Sequence, residues 1–343
     1  MDTIKKGMAM KFKDIIKDNY QHGSETRLHG LGMVPILAEM GYSLPAIDLL
    51  DEAIGGQTVR IVETSEAGEV PYLLLINHGR HPVLVLEGEE LVGGKQNRVV
   101  NSSILVLPGS ELKVPVSCME AGRWFSRNDE FESGGALFRA SSRAVHKAGV
   151  TSNLRARGSF QSDQGAVWDQ VSFSLHELGV ESATSDFRAG REKVAHRIEE
   201  FVAGLNVQDK QIGAVFFSPR GVLGCELLGS PELFRRSFPK IVRSFAFEAL
   251  NEPDLQDGQH DGVDQWWQQV LAAGISLHRS PGAGEDVRLA TGTLIGSGLL
   301  WDQQLVHFSC FPSDAADQQP QSANTRRVAA SERRNRMKSK LGA

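Results

Sequence analysis

Three cysteines in 343 residues, Cys118, Cys225 and Cys310, are odd in number and far apart, which excludes a disulfide framework. No run reaches the roughly eighteen apolar residues needed to span a bilayer. The stretch from Met1 to Gly23 is charged and lacks the apolar core of a secretion signal. These absences predict a cytoplasmic chain without membrane contact. Nucleotide signatures are missing as well: there is no Walker-type G-x-x-x-x-G-K-S/T loop, and no G-x-G-x-x-G follows a strand. ATP hydrolysis of the P-loop kind is thereby excluded. Positive charge is not in excess, since the chain carries −5 overall. A protein built to coat nucleic acid would carry the opposite sign.

What is there suits a folded protein with a large core, at 41 % hydrophobic and 23 % charged residues. The charge is uneven. Residues 313–343 hold seven Lys/Arg against three Asp/Glu, a net of +4, which leaves −9 on the remainder. We read this end as a disordered basic tail that touches nucleic acid only weakly, by charge alone.

Hydrophobic spacing gives the organisation. Ile4, Met8, Phe12, Ile15 and Ile16 recur at helical intervals and predict an amphipathic helix over residues 3–20, within an N-terminal segment 1–24. Residues 25–312 then form a single large α+β domain, β-rich over 25–121, helix-rich over 160–274, with closing strands over 285–312. Its sheet is expected to be mixed and largely antiparallel. A strand is predicted over 28–37, and Pro45 opens a short helix running to Ile54. Further strands are predicted over 58–64, 72–76, 83–86, 99–107 and 112–118, the last at a sheet edge because it contains Pro115. Residues 122–165 show little periodicity and read as a long, partly helical connection. Helices follow over 167–178 and 194–205, the second capped by Ser185 or Asp186. A hairpin turns at Pro219-Arg220-Gly221, and Ser230-Pro231 caps a helix that Pro239 breaks in two.

The densest chemistry lies in Glu87-Gly88-Glu89-Glu90-Leu91-Val92-Gly93-Gly94-Lys95-Gln96-Asn97-Arg98 and on to Asn101. Glu89 or Glu90 is a candidate acid/base group, although neighbours on a strand face opposite ways. Lys95 and Arg98 suit an anion, and Gln96, Asn97 and Asn101 suit a ribose or base. Gly93 and Gly94 let the backbone approach a ligand. The competing reading is a polar loop whose amides satisfy backbone groups. Cys118 has Glu120 and Arg123 close by in sequence, and His307, on a late strand, is the best distant base for a thiolate. A lone strand cysteine is otherwise a small buried hydrophobe. Trp124 beside Arg123 offers a stacking surface or a core side chain. His78 and His81, and the acidic loop around Asp254–Asp264, lack metal-ligand spacing, so no metal site is expected and no cofactor is named.

The stretch LEGEELVGGKQNRVVNSSILV, followed by VPVSCMEAGRW, resembles the ARG and rhodanese-phosphatase-superfamily-associated protein family. GAVFFSPRGVLGCELLGSPELF and LVHFSCF look like that family's later hairpin and last strand, so the likeness covers most of residues 28–312. The family is named for ADP-ribosylglycohydrolase and rhodanese-phosphatase neighbours. The resemblance therefore implies work beside ADP-ribose or phosphoester metabolism. Its motif positions here are Glu87, Gly88, Glu89, Glu90, Gly93, Lys95, Gln96, Asn97, Arg98 and Asn101, then Cys118, Glu120, Gly122, Arg123 and Trp124.

Three functions are in competition. The first is binding, and processing, of a nucleotide- or ADP-ribose-like anion at the Gly88–Arg98 motif. The second is a hydrolase or transferase that uses Cys118 with His307 and Glu120. The third is a non-catalytic protein partner in which the polar block is a folding or interaction element.

Overall fold

A computed structural model describes residues 10–17, 19–39, 44–64, 71–120, 130–182, 186–256 and 262–313. The apolar runs of the first half become mainly strands: α1 (Phe12–Ile16), β1 (Tyr20–His22), β2 (Thr26–Leu28), β3 (Leu31–Ala38), β4 (Asp48–Leu49), α2 (Leu50–Gly55), β5 (Val59–Glu63), β6 (Tyr72–Asn77) and β7 (Val83–Val85). Next come β8 (Glu89–Gly93), β9 (Arg98–Val100), β10 (Ile104–Val106), β11 (Ser110–Cys118) and β12 (Phe131–Leu137). The middle is helical, with α3 (Ala140–Arg157), α4 (Gln164–Glu177) and α5 (Phe187–Gly204). A hairpin, β13 (Gln211–Ser218) and β14 (Gly221–Leu228), leads to α6 (Pro231–Ala249) and α7 (Val263–Ala272). The described chain closes with β15 (Ile275–Arg279), β16 (Glu285–Ala290), β17 (Leu294–Trp301) and β18 (Gln304–Pro312). The fold is α+β, as its sequence pattern predicts.

A nine-stranded sheet runs β1-β3-β13-β14-β18-β17-β16-β15, with β2 also on β3. A six-stranded sheet runs β12-β8-β9-β11-β6-β5, and a three-stranded one β10-β7-β4. Among the described strands only β4 and β7 pair parallel. The two-residue period of a strand sends alternate side chains into different cores. Ala214 and Phe216 of β13 join α3–α6 on one face of the large sheet, while Val215 and Phe217 join α1 and α7 on the other. In the same way Leu84 and Leu105 enter that helical core, whereas Val83, Val85, Ile104 and Val106 pack against the six-stranded sheet. The small sheet is the wall shared by two cores.

Several segments differ from their sequence reading. Pro45 lies outside the helix, which starts at Leu50, because Asp48–Leu49 first pairs with Val83–Leu84 and the Glu52 carboxylate accepts the Leu49 N–H at 3.1 Å. Residues 99–107 are two strands, since Asn101–Ser103 leave the ladder to bond elsewhere. Pro115 is in an interior strand: β11 changes partner there, pairing with β6 up to Pro115 and with β9 from Val116. Pro239 does not break α6, whose buried face (Phe234, Phe238, Ile241, Val242, Phe245) outweighs one missing hydrogen bond. The expected connection over 122–165 contains β12 and the eighteen-residue α3. Of the expected N-terminal helix, Phe12–Ile16 is helical and Tyr20 is already in a strand. Its first residues, Ser185, Arg123, Trp124 and the basic tail lie outside the described residues.

Candidate functional site

The motif is a tight hairpin, β8 and β9, gripped from both sides. Gly88 has φ +85°, and a Cβ there would meet the Arg143 side chain at 2.8 Å. At Gly94 (φ +46°) a Cβ would strike the Phe131 ring at 2.3 Å. These glycines admit α3 and β12 against the hairpin, rather than a ligand.

Glu87 leads into a buried network on α3. Its Oε2 accepts from Lys147 Nζ at 2.9 Å and from Arg143 Nη2 at 3.1 Å. Its Oε1 faces His146 Nδ1 at 3.8 Å. Burial by itself would raise this carboxyl, but the charges of Lys147 and Arg143 overcome it and hold Glu87 well below the usual range. Lys147 is lowered by the same burial, which Glu87 only partly opposes.

The network reads a row across the large sheet. Glu226, Ser309, Ser297 and Arg288 stand directly opposite one another on β14, β18, β17 and β16. Arg143, Lys147 and Thr151, four residues apart on α3, meet that row in order. Arg143 grips both oxygens of Glu226 at 3.0 and 2.9 Å. Lys147 donates to Ser309 at 3.0 Å and Ser297 at 2.5 Å, and Arg288 donates to Thr151 at 3.4 Å. Four residues of helix rise about 6 Å and strands lie about 4.8 Å apart, so each step reaches a new strand.

His307 belongs here too. Its Nε2 is 2.6 Å from Glu226 Oε1 and its Nδ1 is 2.7 Å from Ser103 Oγ. With Nε2 donating to the carboxylate, Nδ1 accepts from the hydroxyl. Hydroxyl, imidazole and carboxylate follow the order of a nucleophilic triad. Ser103 is only 2 % exposed, however, and its oxygen also accepts the Glu87 N–H at 2.9 Å. Both ring nitrogens are thus engaged away from Cys118. The Cys118 thiol, raised by burial against the opposing charge of Arg98, lies 2.7 Å from Arg98 Nη1. The structure does not bring Cys118 and His307 together.

Glu89 and Glu90 face opposite ways, as strand geometry requires. Glu89 accepts from Lys240 at 2.8 Å, and Lys240 also reaches Asp51 at 2.7 Å. Burial tends to lower Lys240, yet those two carboxylates raise it. Glu90 turns to the start of α5, where Oε2 pairs with Arg191. Its Oε1 is buried and has no hydrogen-bond partner among the described residues. Burial pushes this carboxyl up to about 7, with Asp186 adding to the shift and Arg191 opposing it. Beside it, Asn97 Nδ2 lies 3.1 Å from both oxygens of Asp186, the N-cap of α5.

The rest of the polar block is engaged inside the fold. Gln96 donates to the Glu120 carbonyl at 2.8 Å and accepts from Arg98 at 3.1 Å. The Glu120 carboxylate faces the Asn97 N–H at 3.3 Å. Asn101 donates to the Phe160 carbonyl at 2.9 Å, and its Oδ1 meets Ser117 and His146. Lys95 is half-buried, its N–H on Glu63 at 3.1 Å. Arg98 and Asn101 are fully buried.

Sequence reasoning missed Arg143, His146 and Lys147, and with them Glu226, Ser103 and Arg191, and it named Asp186 only as a helix cap. The signal for α3 was present as the spacing 143, 146, 147, 150, 151, 154, but its first half is polar and hydrophobicity does not register it. Among the described residues no cluster of three or more His, Cys, Asp or Glu could hold a metal. No described helix is long and apolar enough to cross a membrane.

No curated protein and no solved structure matches this chain. One protein-family model does, over residues 19–311, which include the hairpin, α3 and the polar row. The chain belongs to the family described as the ARG and Rhodanese-Phosphatase-superfamily-associated Protein domain.

Proposed function

We propose that the chain binds a small anion of the nucleotide or ADP-ribose class where the β8–β9 hairpin meets α5, with Glu90 as the group that exchanges a proton with it. The observation that carries this reading is Glu90 itself: a buried carboxyl with one oxygen on Arg191 and the other unbonded among the described residues. Its raised pKa suits an acid/base role near neutrality. Arg188 and Arg191, in the first turns of α5, and the helix terminus place positive charge beside it. The family's association with the ARG and rhodanese-phosphatase superfamily supports this ligand class. This reading moves anion recognition from Lys95 and Arg98 to α5, because Arg98 is fully buried.

Calorimetric titration with ADP-ribose, NAD and nucleoside mono- and diphosphates tests it. Arg191→Ala should weaken the best ligand by about 1–3 kcal/mol, the loss typical of a charge-assisted contact. A dissociation constant that Arg191→Ala leaves unchanged rules the site out.

The internal bonding of Gln96, Asn97, Arg98 and Asn101 favours a second reading, in which the block is a folding element of a protein that acts through a partner. The absence of binding by every anion in the same titration would favour it.

A further inference from the structure

His146 of α3 stands between two acceptors. On one side its Nε2 is 3.0 Å from Asn101 Oδ1. The Asn101 amide nitrogen donates to the Phe160 carbonyl at 2.9 Å, and the Ser117 hydroxyl donates to Oδ1 at 2.8 Å, so Oδ1 can only accept. On the other side His146 Nδ1 faces Glu87 Oε1 at 3.8 Å. Against the pull of burial, Lys147 and Arg143 hold Glu87 in its ionised form, and this oxygen too can only accept. Both Glu87 Oε1 and His146 Nδ1 are buried and have no hydrogen-bond partner among the described residues.

The cations beside them are already engaged. Lys147 gives its three protons to Glu87 Oε2, Ser309 and Ser297. Arg143 donates to Glu87 Oε2 and to both oxygens of Glu226. From β18, His307 has one ring nitrogen on Glu226 and the other on Ser103. The carboxylates of Glu87, Glu226 and Asp286 are matched by Arg143, Lys147 and Arg288. A proton on His146 therefore adds one positive charge, which Glu87 favours and Arg143 and Lys147 oppose. A neutral imidazole has one N–H and serves one acceptor, whereas the imidazolium serves both.

We infer that His146 is a proton-operated latch between the β8–β9 hairpin and α3. As the imidazolium it donates from Nε2 to Asn101 and from Nδ1 toward Glu87; as the neutral ring it releases Glu87. Glu87 precedes β8 and Asn101 follows β9, so one helix residue grips both ends of the hairpin. Acid closes this latch and base opens it. It is separate from the Glu90 region and stands whether or not that region binds an anion.

The test is ring-nitrogen NMR of the full chain labelled with ¹⁵N-histidine, with His196, whose side chain is 91 % exposed, as the standard within the molecule. At the midpoint of the His196 titration, both ring nitrogens of His146 are expected to carry protons. The Gly88 amide, which donates to the Val100 carbonyl at 2.9 Å, reports on the hairpin. Its hydrogen exchange, corrected for base catalysis, should quicken by about threefold or more as His146 loses its Nδ1 proton. A bare nitrogen on His146 at the His196 midpoint overturns the inference. So does loss of the proton with no change in exchange at Gly88. Both readings come from the unaltered chain, so neither depends on a variant that folds.

Discussion

Burial without complete neutralisation separates Glu90 from Glu87. Glu87 and Glu226 are buried just as deeply, but Arg143 lies on both, with Lys147 on one and His307 on the other, and both are lowered. The consequences for pH have opposite signs. Glu90 has a folded pKa near 7 against 4.5 in the open chain, so the native state binds more protons between those values. Stability from this group is fully present below about pH 4.5 and is lost as pH rises through 7, by about 3 kcal/mol. Glu87 and Glu226 contribute above 4.5 and lose their contribution as pH falls through their lowered values. We predict that Glu90→Gln flattens the fall in melting temperature between pH 4.5 and 7.5 and leaves the acid limb in place. An unchanged slope in that window would show that Glu90 is ionised at all these pH values.

At the scale of elements, α3 decides how the sheets join. A helix with a buried polar stripe is stable only if each charge finds a partner, and the row from Glu226 to Arg288 provides those partners. Gly88 makes the approach possible. Gly88→Ala would force a side chain into φ +85° and against Arg143 at 2.8 Å. The expected loss is at least about 2 kcal/mol in urea unfolding, from left-handed strain plus displacement of a buried ion pair. A loss below 0.5 kcal/mol, about the size of an ordinary surface substitution, would mean that the hairpin yields without disturbing α3. This is also where the sequence was hardest to read. Residues 140–157 contain no proline, yet Arg143, His146 and Lys147 occupy the inward positions that periodicity reserves for apolar side chains. The α5 cap at Asp186 and the α6 start at Ser230-Pro231 were legible, because capping depends on neighbours in sequence.

On the scale of the molecule, the polar network spans elements that otherwise belong to different sheets. Ser102 bonds Asp286 of β16 at 2.7 Å, Ser103 bonds His307 of β18, and Ala283 reaches the Leu105 carbonyl at 2.9 Å. The small sheets therefore cannot separate from the large one without exposing paired charges singly, which costs several kcal/mol for each pair. We predict one unfolding transition, coincident by calorimetry and circular dichroism. Two resolved transitions would mean that the β-rich half unfolds as a unit of its own.

The sequence by itself determined the α+β class, the β13–β14 hairpin and the starts of α5 and α6. Each of these rests on residues within one or two turns of one another, where spacing and capping act. The tertiary structure alone decided which charges meet. Ser103 and His307 are 204 positions apart, and Ser102 and Arg288 186. Whether a carboxyl is neutralised, like Glu87, or left near neutrality, like Glu90, depends on burial and on distant partners. Electrostatic energy follows distance in space, and distance along the chain does not report it.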